Sequence, residues 1–139
     1  MALVLDTGPI VALLDAADPA HSACVQMIDE VGEDLVVPVP VVVEVDYWLR
    51  KIYGPQPWQA FVDDVGRGAY RLHSLDDSDL ARAAQLEATY NTLDLGLVDA
   101  AVIAACERLV ERKVATLDRR DFSVVQPAHC DRLTLLPRQ

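Results

Sequence analysis

The run Ala2-Leu3-Val4-Leu5 stops at Asp6, turns through Thr7-Gly8-Pro9 and resumes as a second apolar run from Ile10 to Leu14. Few folds accept such a stretch. Consecutive apolar residues offer no polar face to water, so they suit a short strand buried on both faces, as in a parallel sheet covered by helices. Pro9 fits the first turn of a helix, where a missing N–H costs nothing. Asp6 therefore falls where a strand hands over to a helix. In open α/β sheets that edge is where ligands bind. What the chain does depends on which other side chains arrive there.

Strand-like and helix-like stretches alternate along the rest of the 139 residues. Leu35-Val36-Val37 reads as a strand closed by Pro38 and Pro40. Tyr70 and Leu72, Val114 to Leu117, and Leu133 to Leu136 read as three more. Helical patterns begin at Asp18-Pro19, with Asp18 as N-cap and Gly32 as the stop, and run from about Val41 to Tyr53 and from Pro57 to Val65. Two more run from the acids Asp76 to Asp79 as far as Tyr90, and from Leu97 to Val110. The last is so apolar that burial on most sides is expected. The alternation predicts an α/β sandwich with a mainly parallel sheet. No linker, repeat or low-complexity segment divides it, so one domain over residues 1–139 is expected.

With 12 basic against 22 acidic residues, the formal net charge is -10. That argues against broad non-specific attraction to nucleic acid. It leaves room for a nucleic-acid substrate met through metal ions. No stretch approaches the ~18 apolar residues of a membrane helix, and the apolar start lacks the basic residues of a secretory signal. Cys24, Cys106 and Cys130 are scattered, without C-x-x-C spacing, which fits reduced thiols and a cytoplasmic setting. His21, His73 and His129 show no zinc-binding spacing.

Four acidic residues interrupt apolar segments: Asp6, Glu44, Asp99 and Asp118. Asp6 and Asp118 end strands. Glu44 and Asp99 sit near the starts of helices that follow the carboxyl ends of strands. Element order alone thus brings all four towards one edge of the sheet. Each also has a plainer reading, as a helix cap or a solvated first-turn acid. Converging carboxylates repel one another and raise at least one pKa unless a cation joins them. Oxygen-only ligands favour Mg²⁺ or Mn²⁺, and such ions activate water for in-line hydrolysis of a phosphodiester. Asp121 competes with Asp118 for the fourth place, which goes to Asp118 as the residue nearer the strand end. The hydroxyls of Thr7 and Thr116 lie where they could support a carboxylate. Arg119 and Arg120 are either contacts for substrate phosphates or ordinary surface arginines. Asp46 and Asp94 read as solvated.

These residues resemble a known family. Val4-Leu5-Asp6-Thr7-Gly8-Pro9, Pro38-Val39-Pro40 with Val43-Glu44-Val45, Leu95-Gly96-Leu97-Val98-Asp99-Ala100 and Ala115-Thr116-Leu117-Asp118-Arg119-Arg120-Asp121-Phe122 follow one another as in PIN-domain ribonucleases. The likeness is to the VapC-type toxins of bacterial toxin–antitoxin pairs, and it spans nearly the whole chain. It implies a three-layer α/β/α sandwich with Mg²⁺ or Mn²⁺ held by Asp6, Glu44, Asp99 and Asp118. It implies an endoribonuclease that cleaves RNA and is blocked by a VapB-like antitoxin, with a homodimer or a heteromer with antitoxin as the assembly and no membrane involved. The chain departs from the pattern at Gly8, where many relatives carry Ser or Asn.

Two other classes compete. Phosphoryl transfer through an Asp6 nucleophile is disfavoured, since Gly8 stands where such phosphatases resemble D-x-D and Leu5 precedes Asp6 where receiver domains carry an acidic pair. A non-catalytic binding module would have no need to bear the mutual repulsion of four acids.

Overall fold

The computed structural model describes residues 1–138. Its centre is β1 (Ala2–Leu5), with β2 (Asp34–Pro38) on one side and β4 (Lys113–Ala115) on the other. With β3 (Arg71–His73) and β5 (Thr134–Leu136) the sheet has the order β3-β2-β1-β4-β5, and every neighbouring pair is parallel. Leu3, Val4 and Leu5 are fully buried, as a strand without a polar face requires.

Connections leave β1 and β2 towards one edge and β3 and β4 towards the other. Right-handed crossovers then put α1 (Thr7–Leu13), α2 (His21–Val31), α3 (Val39–Tyr53) and α4 (Pro55–Gly66) on one face. They put α5 (Asp77–Thr89), α6 (Leu97–Leu109) and α7 (Arg119–Phe122) on the opposite face. The expected three-layer parallel sandwich is the observed one. The direction of the connections reverses between β1 and β4, and the carboxyl ends of those strands are where a crevice opens.

Local chemistry explains most boundaries. Gly32 ends α2 at φ 58°, a left-handed position that glycine adopts at no steric cost. Pro40 lies in the first turn of α3, which starts at Val39, two residues ahead of the expected Val41. Asp76 caps α5 by accepting from the Asp79 N–H at 2.9 Å, while the Asp79 carboxylate accepts from the Asp76 N–H at 3.2 Å. From Ala100 to Cys106 every residue of α6 is buried, as its composition predicts.

Other boundaries also differ from the sequence reading. Asp18 does not cap α2: its carboxylate accepts from Ala20 N–H at 2.8 Å within a preceding turn, and the helix begins at His21. A local Asx contact competes with the helix cap at this position. The fourth helix begins at Pro55, not Pro57, because Gly54 at φ 89° turns the chain early. The strand expected as far as Leu117 ends at Ala115, so Asp118 stands beyond it on a short bend.

The core joins β1, β2 and β4 to Ile10, Val45, Leu49, Ile103 and Phe122. Leu3→Ala should therefore destabilise the fold by about 3 kcal/mol, through lost transfer energy and the cavity left behind. Urea unfolding would read this as a lower midpoint at unchanged m-value.

Candidate active site: an acidic cleft at the sheet's switch point

Asp6 and Asp118 occupy the N-cap positions of α1 and α7, yet neither makes a side-chain capping bond. The capping reading is thus not realised for either. Asp6 is instead bound into the switch point. Its backbone N–H donates to Ala115 O at 2.8 Å, prolonging the β1–β4 ladder. Its carboxylate accepts from the Thr116 hydroxyl at 2.9 Å, and the same hydroxyl oxygen accepts the Asp118 N–H at 3.0 Å. One fully buried threonine thereby ties together the ends of the two central strands. Thr7 contributes differently from expectation. Its hydroxyl has no hydrogen-bond partner among the described residues, and its backbone N–H is what supports the Asp6 carboxylate.

Glu44 lies in the second turn of α3 and Asp99 in the first turn of α6, where the helix dipole favours a negative charge. Asp6, Glu44, Asp99, Asp118 and Asp121 line one cleft of about 900 Å³, together with Asp18 and Asp94. The four expected acids do share one edge. Asp94 belongs to the cleft wall and not to open solvent alone. It is exposed, as the sequence reading expects, in the loop that leads to α6.

A carboxylate oxygen from each of Asp99, Asp118 and Asp121 lies within 4.8 Å of the others. Asp121 is 4% exposed, and its Oδ1 has no hydrogen-bond partner among the described residues. The nearest cation is Arg120, whose Nε stays 3.7 Å from that oxygen on a largely exposed side chain. Arg120 lines the cleft; Arg119 does not, because it turns away to donate to Pro137 O at 3.0 Å. Of the two arginines considered for substrate phosphates, the fold brings one to the site.

The electrostatics follow from this crowding. Burial pushes the Asp6 carboxyl above its ordinary value. The Thr7 N–H and the Thr116 hydroxyl oppose the shift, and the charges of Glu44 and Asp118 add to it. Asp99 is pushed up to about 7, chiefly by burial and then by Asp6, Asp118, Glu44 and Asp121. An orphaned, buried carboxylate oxygen and a neighbour that resists ionisation mark a site short of positive charge. An all-carboxylate donor set fits a hard divalent cation.

The cleft also has an apolar wall of Val11, Trp48, Ile52 and Leu117 beside Gly8. A Cβ on Gly8 would stand 3.2 Å from Leu117 Cβ, closer than ordinary contact. Leu117 thus fills the space that a side chain at position 8 would need. Trp48 and Ile52 were not among the expected site residues. Their spacing of four and eight from Glu44 was the available signal.

A parallel α/β sandwich whose switch point gathers carboxylates around an all-oxygen donor set defines the class of domain. The PIN domain model matches residues 3–126, and the chain belongs to the PIN-domain family. It is 33% identical over 135 residues to Ribonuclease VapC26 of Mycobacterium tuberculosis, covering 97% of this chain and 100% of that protein. Among solved structures, Mycobacterium tuberculosis VapC20, described as a sarcin-ricin loop-cleaving toxin, superposes with a TM-score of 0.79 at 15% identity over 85% of this chain and 91% of that one. The VapBC2 structure from Rickettsia felis, bound to a promoter DNA fragment, gives 0.67 at 14% identity over 97% of each chain.

Both raised carboxyls hold protons in the folded state that the unfolded chain has already released. For Asp99 the window runs from about pH 4 to about 7. There the native state binds more protons, so stability falls as pH rises. With chelator present, Asp99→Asn should raise Tm at pH about 7.5, by roughly 4 °C for each kcal/mol of repulsion relieved. The gain should fade towards pH 4. A calorimetric comparison at the two pH values checks it.

Proposed function

We propose that this protein is the toxin of a type II toxin–antitoxin pair, a Mg²⁺- or Mn²⁺-dependent endoribonuclease that hydrolyses RNA phosphodiester bonds and is inhibited by its cognate antitoxin. The observation that carries the reading is the cluster of Asp99, Asp118 and Asp121 oxygens at the switch point, with Asp6 and Glu44 in the same cleft. The 33% identity to a ribonuclease along nearly the whole chain supports the substrate class. Asp6, Glu44, Asp99 and Asp118 would hold the ion, with the buried Asp121 available as a further oxygen donor.

Bound there, a divalent ion would supply an activated water and charge stabilisation at a phosphodiester. The rest falls to the chain. Thr116 keeps the Asp6 carboxylate aimed into the cleft and holds Asp118 against it through the Asp118 N–H. Asp99 takes and releases a proton near neutral pH, which suits a group that must be ionised to meet a cation. Arg120, exposed at the rim, is the cation placed to meet a substrate phosphate. Leu117, packed against Gly8, forms part of the apolar wall beside the acids.

The neighbours whose names include an antitoxin or a VapBC pair support a protein partner. A net charge of -10 suits a basic antitoxin segment, in which an arginine would pair with the cleft carboxylates. An exposed apolar patch of Val39, Pro40, Val43, Leu97 and Val98 supports self-association or antitoxin contact. No helix among the described residues is long and apolar enough to cross a membrane, in keeping with the proposed cytoplasmic setting.

Cleavage of RNA with Mg²⁺ or Mn²⁺ should disappear in EDTA and in both Asp6→Asn and Asp99→Asn, while Thr116→Val should retain activity reduced by about tenfold or more. Full activity in either asparagine variant would sink the site assignment. Affinity for the antitoxin should fall as salt rises from about 0.05 to 0.5 M, since exposed charge pairs are screened over that range. A flat response, read by titration calorimetry, would remove the electrostatic part of the partner reading.

A further inference from the structure

Trp48, Tyr47 and Lys51 form an exposed cluster on α3, one turn beyond Glu44. Tyr47 is 54% and Trp48 40% exposed, large aromatic area for residues on a helix whose other face is fully buried through Val41, Val45 and Leu49. The two rings meet edge to face, with centroids 5.2 Å apart at 86°. Lys51 Nζ lies 5.3 Å from the Tyr47 ring and 5.5 Å from the Trp48 ring, and it donates to Tyr47 Oη at 3.1 Å. Its polar contact is thus a phenol, and among the described residues no carboxylate pairs with it at close range. Trp48 itself lines the acidic cleft, with Ile52 a further turn away.

We propose that Trp48 is a stacking platform for an unpaired nucleobase flanking the scissile phosphodiester, with Lys51 contacting the adjoining phosphate. The inference rests on the ribonuclease reading and adds how the substrate is gripped. An acidic protein cannot hold RNA by a broad positive surface. Base stacking on an aromatic ring provides affinity without one and tolerates many sequences. It also selects single-stranded substrate, because bases within a duplex are not free to stack on protein. The ring and the cation stand on the same rigid helix as Glu44, so a base held there is at a set distance from the acids. Such a cluster fits an unpaired, phosphate-bearing nucleotide better than an apolar helix, for which the cation and the phenol would be poor neighbours. Trp48 is accordingly a positioning and specificity residue.

The chain has two tryptophans, and Trp58 packs against Phe61 at 5.8 Å between centroids. In a Trp58→Phe background, emission therefore reports on Trp48 alone. With EDTA present to prevent cleavage, a mixed-sequence single-stranded RNA of about 16 nucleotides should quench that emission saturably, within the site sizes seen for such platforms. The same RNA as a duplex, or an abasic oligonucleotide of equal length, should not. In cleavage assays on the single strand, Trp48→Ala should raise KM about tenfold with little change in kcat, and Trp48→Phe should restore most of the loss. Lys51→Ala should raise KM less and flatten its salt dependence. Equal quenching by the abasic strand overturns the stacking role. So does an unchanged KM in Trp48→Ala when the parent protein cleaves, and a loss confined to antitoxin affinity would reassign the cluster to that partner. If the parent protein fails to cleave any RNA, the ribonuclease reading fails, whereas quenching in EDTA still decides whether the platform binds bases.

Discussion

The Asp6 carboxylate sits where a charged group loses most of its water, 6% exposed at the end of the most buried strand in the sheet. It cannot relax away, because its own N–H continues the ladder to Ala115 and its side chain is held by Thr116. The backbone of the two central strands therefore imposes the position, and the hydrophobic burial of Leu3, Val4 and Leu5 holds the backbone. Glu44, Asp99 and Asp118 thus face a charge that does not move. Repulsion then appears as a shifted equilibrium at Asp99 instead of a displaced side chain.

This arrangement separates stability from function on two sides of the same elements. The inner face of α3 is sealed by Val41, Val45 and Leu49, while its outer face presents Glu44, Trp48 and Ile52 to the cleft. In α6 the first turn carries Asp99, and the turns behind it are buried from Ala100 to Cys106. A burdened charge is tolerated at each helix start because the length behind it is anchored. Sites that gather like charges work against stability in the absence of their ligand, and a packed core of this kind offsets that cost.

Gly8 and Leu117 show how a local departure follows from packing. The glycine makes no demand on backbone conformation, since its φ is not in the left-handed region; what matters is the missing Cβ, with Leu117 at 3.2 Å from where it would stand. Two residues far apart in sequence share one space, and the pair shapes the wall beside the acids.

Much of this was legible from residue order. A strand with no polar face, proline and glycine at helix boundaries, and acids placed after strands and at helix starts all act through neighbours in the chain, so period and spacing report them. Asp6, Glu44, Asp99 and Asp118 were placed at a shared edge that way, and they line one cleft. The errors have an equally local cause where Asp18 prefers its own turn to a helix cap. The sequence put Asp118 ahead of Asp121 as the residue nearer the strand end, and the structure brings an oxygen of each within reach of Asp99. Burial decides between an exposed and a desolvated carboxylate, and burial depends on what α7 packs against. The same holds for Arg119, drawn off to Pro137, for Asp94 on the cleft wall, and for the aromatic side of α3. Element order, the parallel sheet and the edge to which the acids go follow from residue order alone, because they rest on short-range preferences and on the handedness of crossovers. Which oxygens lie within reach of one another, and which lose their water, depends on the folded chain, because distance and desolvation are set by contacts between segments far apart in sequence.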